Sequence, residues 1–332
     1  MNYWIFFLSF LAGSTGAWLI SSNGLKLGLL DIPQQRSSHK FPTPKGGGIG
    51  IVAAFIPTSI YLNITWTLWL SGLSLAIISF LGDKIDLSPK LRLIIQFILI
   101  GLFLGNTNLL KFAPCPDIHN TSEIPHILHI SIFLFLLIVI TSTANIYNFM
   151  DGINGIAAIS GIIAFFFLGV FAKSNTINPV LPAISFSMCF ACIGFLPFNF
   201  PQAKVFMGDV GSIFLGFMFA VSAVMISNNW TDFFCLTGFL FPFFADEIIT
   251  MVDRIKRHES LVKPHRRHLY QVLANEMKIA HWKVSIAYGI AQVFIALILL
   301  YFRNYGLTIL IATMITLFAI FSCINYTIKK SI

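Results

Sequence analysis

Five short polar segments interrupt an otherwise apolar chain, and each carries residue types suited to phosphate or metal chemistry. The most pointed is PFNFPQAKVFMGDVGSIFLGF at 197–217. Asp209 stands there between Gly208 and Gly211, far in sequence from any other carboxylate, with Ser212 opening an apolar run. A carboxylate on a glycine-flanked turn at a helix start suits a hard cation meeting a phosphate. Simple N-capping is the plainer alternative, but a cap alone does not need paired glycines.

A second segment is NIYNFMDGINGIA at 145–157, where Asn145, Asn148 and Asp151 recur every three residues. On a helix these three fall within an arc of about 120°. Amides and a carboxylate on one face, followed by Gly152 and Gly155, suit a nucleotide or polyhydroxylated ligand. Hydrogen bonding between helices is the alternative. A third, FLGDKIDLSPKLRLIIQ at 80–96, sets Asp83 and Asp86 beside Lys84, Lys90 and Arg92. Its Ser88-Pro89 pair predicts a helix start. Carboxylates here could bind Mg²⁺, accept a proton, or pair with the neighbouring bases.

The fourth, RSSHKFPTPKGGGIG at 36–50, is stiffened by Pro42 and Pro44 and runs through Gly46, Gly47 and Gly48 into an apolar run. Glycines before a helix let backbone approach a phosphate, with Arg36, His39 and Lys45 adding charge. A flexible hinge explains the same residues. The fifth, within 246–282, places Asp246 and Asp253 before Lys263, His265, Arg266, Arg267 and His268. Arg and His in such density suit a diphosphate, whereas an amphipathic surface helix would meet anionic lipid instead.

The elements that must position these residues are membrane spans. Of 332 residues, 57% are hydrophobic and 10% charged, against about 25% charged in soluble domains. An ordinary cytosolic enzyme is excluded. Runs of about 20 apolar residues cross a bilayer, and they predict an all-α polytopic bundle of ten or eleven spans forming one domain over 1–332. The spans lie near 3–20, 47–64, 66–81, 92–110, 127–146, 156–172, 180–197, 211–227, 232–250, 283–302 and 306–327. The first lacks the basic flank of a removable signal peptide.

Placing the N-terminus outside and the C-terminus inside puts all but Lys111, Lys173 and Arg303 of the 21 Lys and Arg on the inner side, as the positive-inside rule requires. The net charge of +8 therefore points to membrane orientation and anionic lipid or phosphate, not to nucleic acid. Cys189 and Cys192 are spaced C-x-x-C inside a span without a His cluster, which points to packing. The five polar segments all belong to the inner ends of spans. A secondary transporter would instead carry polar groups at mid-depth, on broken helices.

In this order the segments resemble the polyprenyl-phosphate N-acetylhexosamine-1-phosphate transferase family, which includes the phospho-MurNAc-pentapeptide translocase. The resemblance runs from about 31 to 275, with NIYNFMDGINGIA and KVFMGDVGSIFLG the specific strings, and HRRHLYQ is closer to the O-antigen and capsule branch. It implies a bacterial inner-membrane enzyme with a cytoplasmic active site. There an N-acetylhexosamine-1-phosphate passes from a UDP-sugar to undecaprenyl phosphate, with release of UMP.

The resemblance further implies Mg²⁺, with Mn²⁺ as alternative, on Asp209, Asn148 and Asp151, and catalytic roles for Asp83, Asp151 and Asp209. Substrate contacts fall to Arg36, His39, Lys45, Asn145, Asn148, Asn154, Lys204, His265, Arg266 and His268, in loops 31–48, 82–92, 145–155, 199–212 and 246–282. Gly82 replaces the first of the family's usual aspartate pair, and Asn154 replaces the second Asp of D-G-x-D-G. Neither departure erases the match, and a non-catalytic scaffold or degenerate paralogue is a separate alternative. The pocket residues do not choose among GlcNAc, GalNAc, QuiNAc and FucNAc, and a homodimer is compatible with the chain.

Overall fold

A backbone without water must satisfy its own polar groups, so long apolar runs fold as helices. The computed structural model describes residues 3–33, 38, 41–85, 87–109, 112, 126–260 and 265–331. Helix α1 is Trp4–Leu27, α2 Ile49–Tyr61, α3 Trp66–Ile85, α4 Pro89–Gly105, α5 His126–Phe149, α6 Ile156–Asn175 and α7 Val180–Asn199. They are followed by α8 Asp209–Ile226, α9 Trp230–Thr237, α10 Phe241–Lys256, α11 Leu269–Asn275, α12 His281–Arg303 and α13 Leu307–Lys330. The predicted polytopic all-α architecture is the one found. Among the described residues, eight helices are long and apolar enough to cross a membrane, with α9 and α10 counted as one continuous stretch.

The remaining three expected spans are also helical, as α2, α3 and α4, but the one near 47–64 is shorter than expected. At 13 residues α2 reaches about 20 Å, less than the roughly 30 Å of a hydrocarbon core. Its intended first turn is drawn into pairing with another loop: Gly47 and Gly48 donate to the carbonyls of Phe206 and Met207, each at 2.9 Å. Its far end closes at Asn63, whose φ is +50°.

Helix α8 is the axis of the bundle, with α2, α3, α5, α6 and α7 around it. Nearly every residue from Val210 to Ile226 is buried. Helix α1 lies along α7 and α2, close enough that a Cβ on Gly16 would overlap the backbone of Gly50. Small residues permit such approaches between spans. By contrast, α13 buries only Leu310 and Asn325.

A two-stranded antiparallel ribbon, β1 Leu30–Asp31 with β2 Thr43–Pro44, closes the loop between α1 and α2. At the opposite end of α6, Arg303 donates to Asp232 at 2.7 Å and lies 4.6 Å over the ring of Phe171. Arg303 is thus segregated from the polar segments, as the charge pattern predicts.

Candidate functional site

Helices α4, α5 and α8 end side by side, and three polar contacts join them. Ser88 caps α4 by accepting from the amide of Leu91 at 3.3 Å, with Pro89 at the first helical position. That start sets Arg92 and Gln96 one turn apart on the same face. Arg92 Nη1 donates to Asp209 Oδ2 at 2.5 Å. Gln96 accepts from Asn145 Nδ2 at 2.6 Å, and Asn148 Oδ1 accepts from the hydroxyl of Ser212 at 2.6 Å. Asn148 and Asp209 are therefore brought together through the first turn of α8. Asn145 faces the bundle, its amide also donating to Thr141 O at 2.8 Å.

Asp209 is the first residue of α8, not its cap. The cap is Gly208, at φ +74° and ψ 166°, a conformation open to glycine because it lacks Cβ. The carboxylate is thereby left for Arg92. Gly211 serves a second purpose: a Cβ there would sit 2.7 Å from Gly48 Cα.

This corrects one expectation for Gly46 to Gly48. Their backbone is not an open phosphate cradle, because the amides of Gly47 and Gly48 already bond to 206–207 and the chain lies against α8. Lys45 stands opposite Phe206 in a parallel bridge, three residues from Asp209, and Lys204 is exposed nearby.

The turn after α5 is held from several sides. Asp151 donates its amide to Asn148 O at 3.2 Å. Gly155, at φ +86°, donates to the buried Asn199 Oδ1 at 2.7 Å, while Asn199 Nδ2 donates to Val205 O at 2.9 Å. One amide side chain thus ties the two motif loops together. Asn154 braces the same turn: its side chain donates to Pro201 O at 3.3 Å, its carbonyl accepts from Ser285 Oγ at 2.8 Å, and its amide meets His281 Nδ1 at 3.5 Å.

The histidine segment docks on this turn. Asp246, fully buried, accepts from the amides of Leu269 and Tyr270 at 2.7 and 3.3 Å and from Tyr288 Oη at 2.7 Å. A carboxylate at these first-turn amides fixes where α11 begins. Tyr270 Oη donates to Phe149 O, and its ring stacks on His268 with centroids 5.6 Å apart.

His268 Nε2 lies 3.4 Å from Glu247 Oε2, and its buried Nδ1 makes no hydrogen bond. His265 sits beside it, ring centroids 4.8 Å apart. Burial, with the charges of Lys329 and Arg254, pushes His268 down from 6.5 to about 3. Burial, with His268, Arg254 and Arg267 as neighbours, takes His265 down to about 4. Both rings are neutral near pH 7, each offering one N–H and one lone pair.

Arg266 is half-buried in the same stretch, and Arg267 pairs with Glu259 at 2.6 Å. The lipid-surface reading of this region does not hold for α11, whose Leu269, Tyr270, Val272 and Ala274 are buried against protein. Asn275 Nδ2 donates to Ser38 Oγ at 3.1 Å, bringing the segment at 36–50 to the same place. Arg36, His39 and the side chain of Asp83 lie outside the described residues.

Among the described residues no three His, Cys, Asp or Glu side chains form a ready-made metal cage. Mg²⁺ needs only one or two protein carboxylates when water and phosphate oxygens complete its shell. Asp209 and Asn148, both oxygen donors on adjoining helix ends, fit a cation that arrives with a diphosphate. Arg92, Gln96, Asn199, Ser212, Asp246 and Tyr270 hold these groups together through contacts the local sequence does not show. Their partners are remote in the chain, and Arg92 in particular is lost among the other Lys and Arg of the polar segments.

Residues 65–227 match the family described as Glycosyl transferase family 4. The chain is 26% identical over 265 residues to the probable undecaprenyl-phosphate N-acetylglucosaminyl 1-phosphate transferase of Bacillus subtilis (strain 168), covering 77% of this chain and 72% of that protein. It is 30% identical over 298 residues to a phospho-N-acetylmuramoyl-pentapeptide-transferase of Gluconacetobacter diazotrophicus, covering 78% and 80%. Against the decaprenyl-phosphate N-acetylglucosaminephosphotransferase of Mycobacterium tuberculosis the identity is 26% over 314 residues, covering 80% and 76%.

Proposed function

The chain belongs to glycosyl transferase family 4, and from that membership we propose that it transfers an N-acetylhexosamine-1-phosphate from a UDP-sugar to undecaprenyl phosphate. UMP leaves, and the lipid-diphosphate sugar that remains starts a surface polysaccharide such as O-antigen or capsule. The observation that carries this reading is the meeting of Asp209, Ser212 and Asn148 at one end of the bundle, where Tyr270 seats the histidine segment.

Phosphoryl transfer of this kind gathers negative charge, so positioning and electrostatic stabilisation dominate catalysis. Held by Asp209 with Asn148 and Asp151, Mg²⁺, or Mn²⁺ in its place, would supply charge neutralisation for the diphosphate. Asp83 orients the acceptor phosphate or takes its proton. His265 donates one N–H to a phosphate or sugar oxygen, with His268 buried beside it to hold its ring, and Arg266 adds a planar fork for the same oxygens. Lys45 and Lys204, with Arg36 and His39, are assigned to contacts with the substrate phosphates. Asn145 and Asn154, which face the bundle and the 201 loop, act by holding the turn that carries Asp151.

The proposed setting is the bacterial inner membrane with the site toward the cytoplasm, the N-terminus outside and the C-terminus inside. Support comes from the Lys and Arg distribution. Single cysteines placed in 197–210 or 250–282 should resist an impermeant reagent in intact cells and react after permeabilisation. The activity itself is tested by UMP release from purified protein in detergent, across UDP-GlcNAc, UDP-GalNAc, UDP-QuiNAc and UDP-FucNAc, with and without undecaprenyl phosphate. Release that requires the lipid supports the proposal and identifies the sugar; no release with any donor overturns it.

A further inference from the structure

Arg92 reaches Asp209 by an unusual route. Its side chain lies across Gly82, where an added Cβ would stand 3.3 Å from Arg92 Cδ and 3.5 Å from Nη1. Gly82 leaves room for this path from α4 to the first turn of α8. The guanidinium then divides its donors: Nε goes to Leu87 O at 3.2 Å and Nη1 to Asp209 Oδ2 at 2.5 Å. Both charged side chains remain 26% exposed.

The charge that meets Asp209 here is therefore a guanidinium of the protein itself. A partly exposed pair of this kind contributes little to stability, so it can be exchanged without disturbing the bundle. A divalent cation on the same carboxylate would bring twice the charge. It would also bring phosphate oxygens to within reach of a planar fork whose geometry matches them. Lys84 and Lys90, both shortly before Arg92 in sequence, are exposed and lack that fork.

Resting on the transferase reading above, we infer that Arg92 is an exchangeable counter-ion. It neutralises Asp209 in the empty enzyme and passes to a substrate phosphate oxygen when a divalent cation takes Asp209. Arg92 is on this account a substrate-binding residue, and Gly82 is the clearance that allows it to serve both partners. The phosphate belongs either to the UDP-sugar or to the polyprenyl phosphate, and the two are separable by experiment.

The test compares wild type, Arg92→Gln and Arg92→Lys as purified full-length protein in detergent. Mn²⁺ binding is read by the loss of the free-ion electron paramagnetic resonance signal with no substrate present. UMP release is then measured with donor and acceptor varied in turn. Arg92→Gln removes the competitor, so Mn²⁺ should bind at least threefold tighter, while KM for the phosphate that Arg92 contacts rises tenfold or more. A rise for the UDP-sugar alone assigns the donor diphosphate; a rise for the lipid alone assigns the acceptor.

Mn²⁺ affinity that is unchanged or weaker, or KM values that both stay at wild type, overturns the inference. If Arg92→Gln is not recovered folded, Arg92→Lys decides, since it keeps the charge and loses the fork. A raised KM for one phosphate substrate then supports the inference, and wild-type KM values refute it. Wild type that releases UMP beside an Arg92 variant identical to it removes this inference alone. Wild type that neither binds Mn²⁺ nor releases UMP removes the transferase reading as well.

Discussion

The phenol of Tyr270 donates to the carbonyl oxygen of Phe149 at 2.9 Å, across 121 residues of sequence. A Cβ on Gly152 would overlap that hydroxyl, so the turn bearing Asp151 is shaped to admit it. This contact, with the stacking of Tyr270 on His268, is what makes the histidine segment part of the site. Tyr270→Phe removes one hydrogen bond worth about 1 kcal/mol and leaves the ring in place. Its Tm should fall by only a few degrees, while UMP release drops about tenfold through looser substrate positioning. Full activity in this variant would show that docking is dispensable for turnover.

Asp209→Asn keeps the shape of the first turn of α8 and removes its charge. Loss of a ligand that stabilises transferred charge costs about two orders of magnitude or more in rate. Turnover should be abolished with membrane abundance and Tm close to wild type. Substantial UMP release at low Mg²⁺ would count against Asp209 as a metal ligand.

The two site histidines make stability depend on pH. Their folded values, about 3 for His268 and about 4 for His265, lie below the ordinary 6.5. Between those values and 6.5 the unfolded chain binds more protons than the folded one, so stability rises with pH in that window and falls as the medium is acidified through it. Through these two groups, thermal stability in detergent should decline from neutral pH toward about pH 5. His268→Gln should flatten that decline and lower activity far more than abundance. A Tm slope identical to wild type would show that His268 is not held neutral by burial.

Gly208 and Gly82 should answer substitution in opposite ways. Gly208 sits at φ +74°, and forcing a Cβ into such a region costs of order 1–3 kcal/mol. Gly208→Ala should therefore lose activity through displacement of Asp209 and also lower Tm. Gly82 lies inside α3 without a positive φ, and its crowding neighbour is the flexible side chain of Arg92. Gly82→Ala should fold normally, with Tm within a few degrees of wild type. Comparable Tm losses in both variants would contradict this distinction.

Much of this was legible before any coordinates. The three-residue spacing of Asn145, Asn148 and Asp151 predicts a shared helix face; α5 carries the first two but ends at Phe149, so Asp151 lies on the turn beyond it. Ser88-Pro89 predicts the start of α4 because capping and a missing amide are local chemistry. Gly208, just before Asp209, marks a turn whose backbone no other residue adopts easily, whereas Gly211 is helical and small because Gly48 packs against it. What was hidden is long-range: whether Asn145 faces a ligand or Gln96 depends on where α4 lies, and no local pattern records that. The Gly46 to Gly48 run carries the same ambiguity, since glycines admit a phosphate and a neighbouring backbone equally well. Asp246, read only as a charge before a basic block, turns out to hold the first amides of α11.

Helix α8 has consequences of a mechanical kind. It is enclosed by other helices along almost its whole length, and a rod gripped on every side cannot tilt or slide without unpacking its neighbours. Asp209, at the tip of that rod, is a fixed post. The adjustment between an empty and an occupied site then falls to parts with room to swing, such as the guanidinium of Arg92. The bundle works as a stator, and the reactants are brought to it.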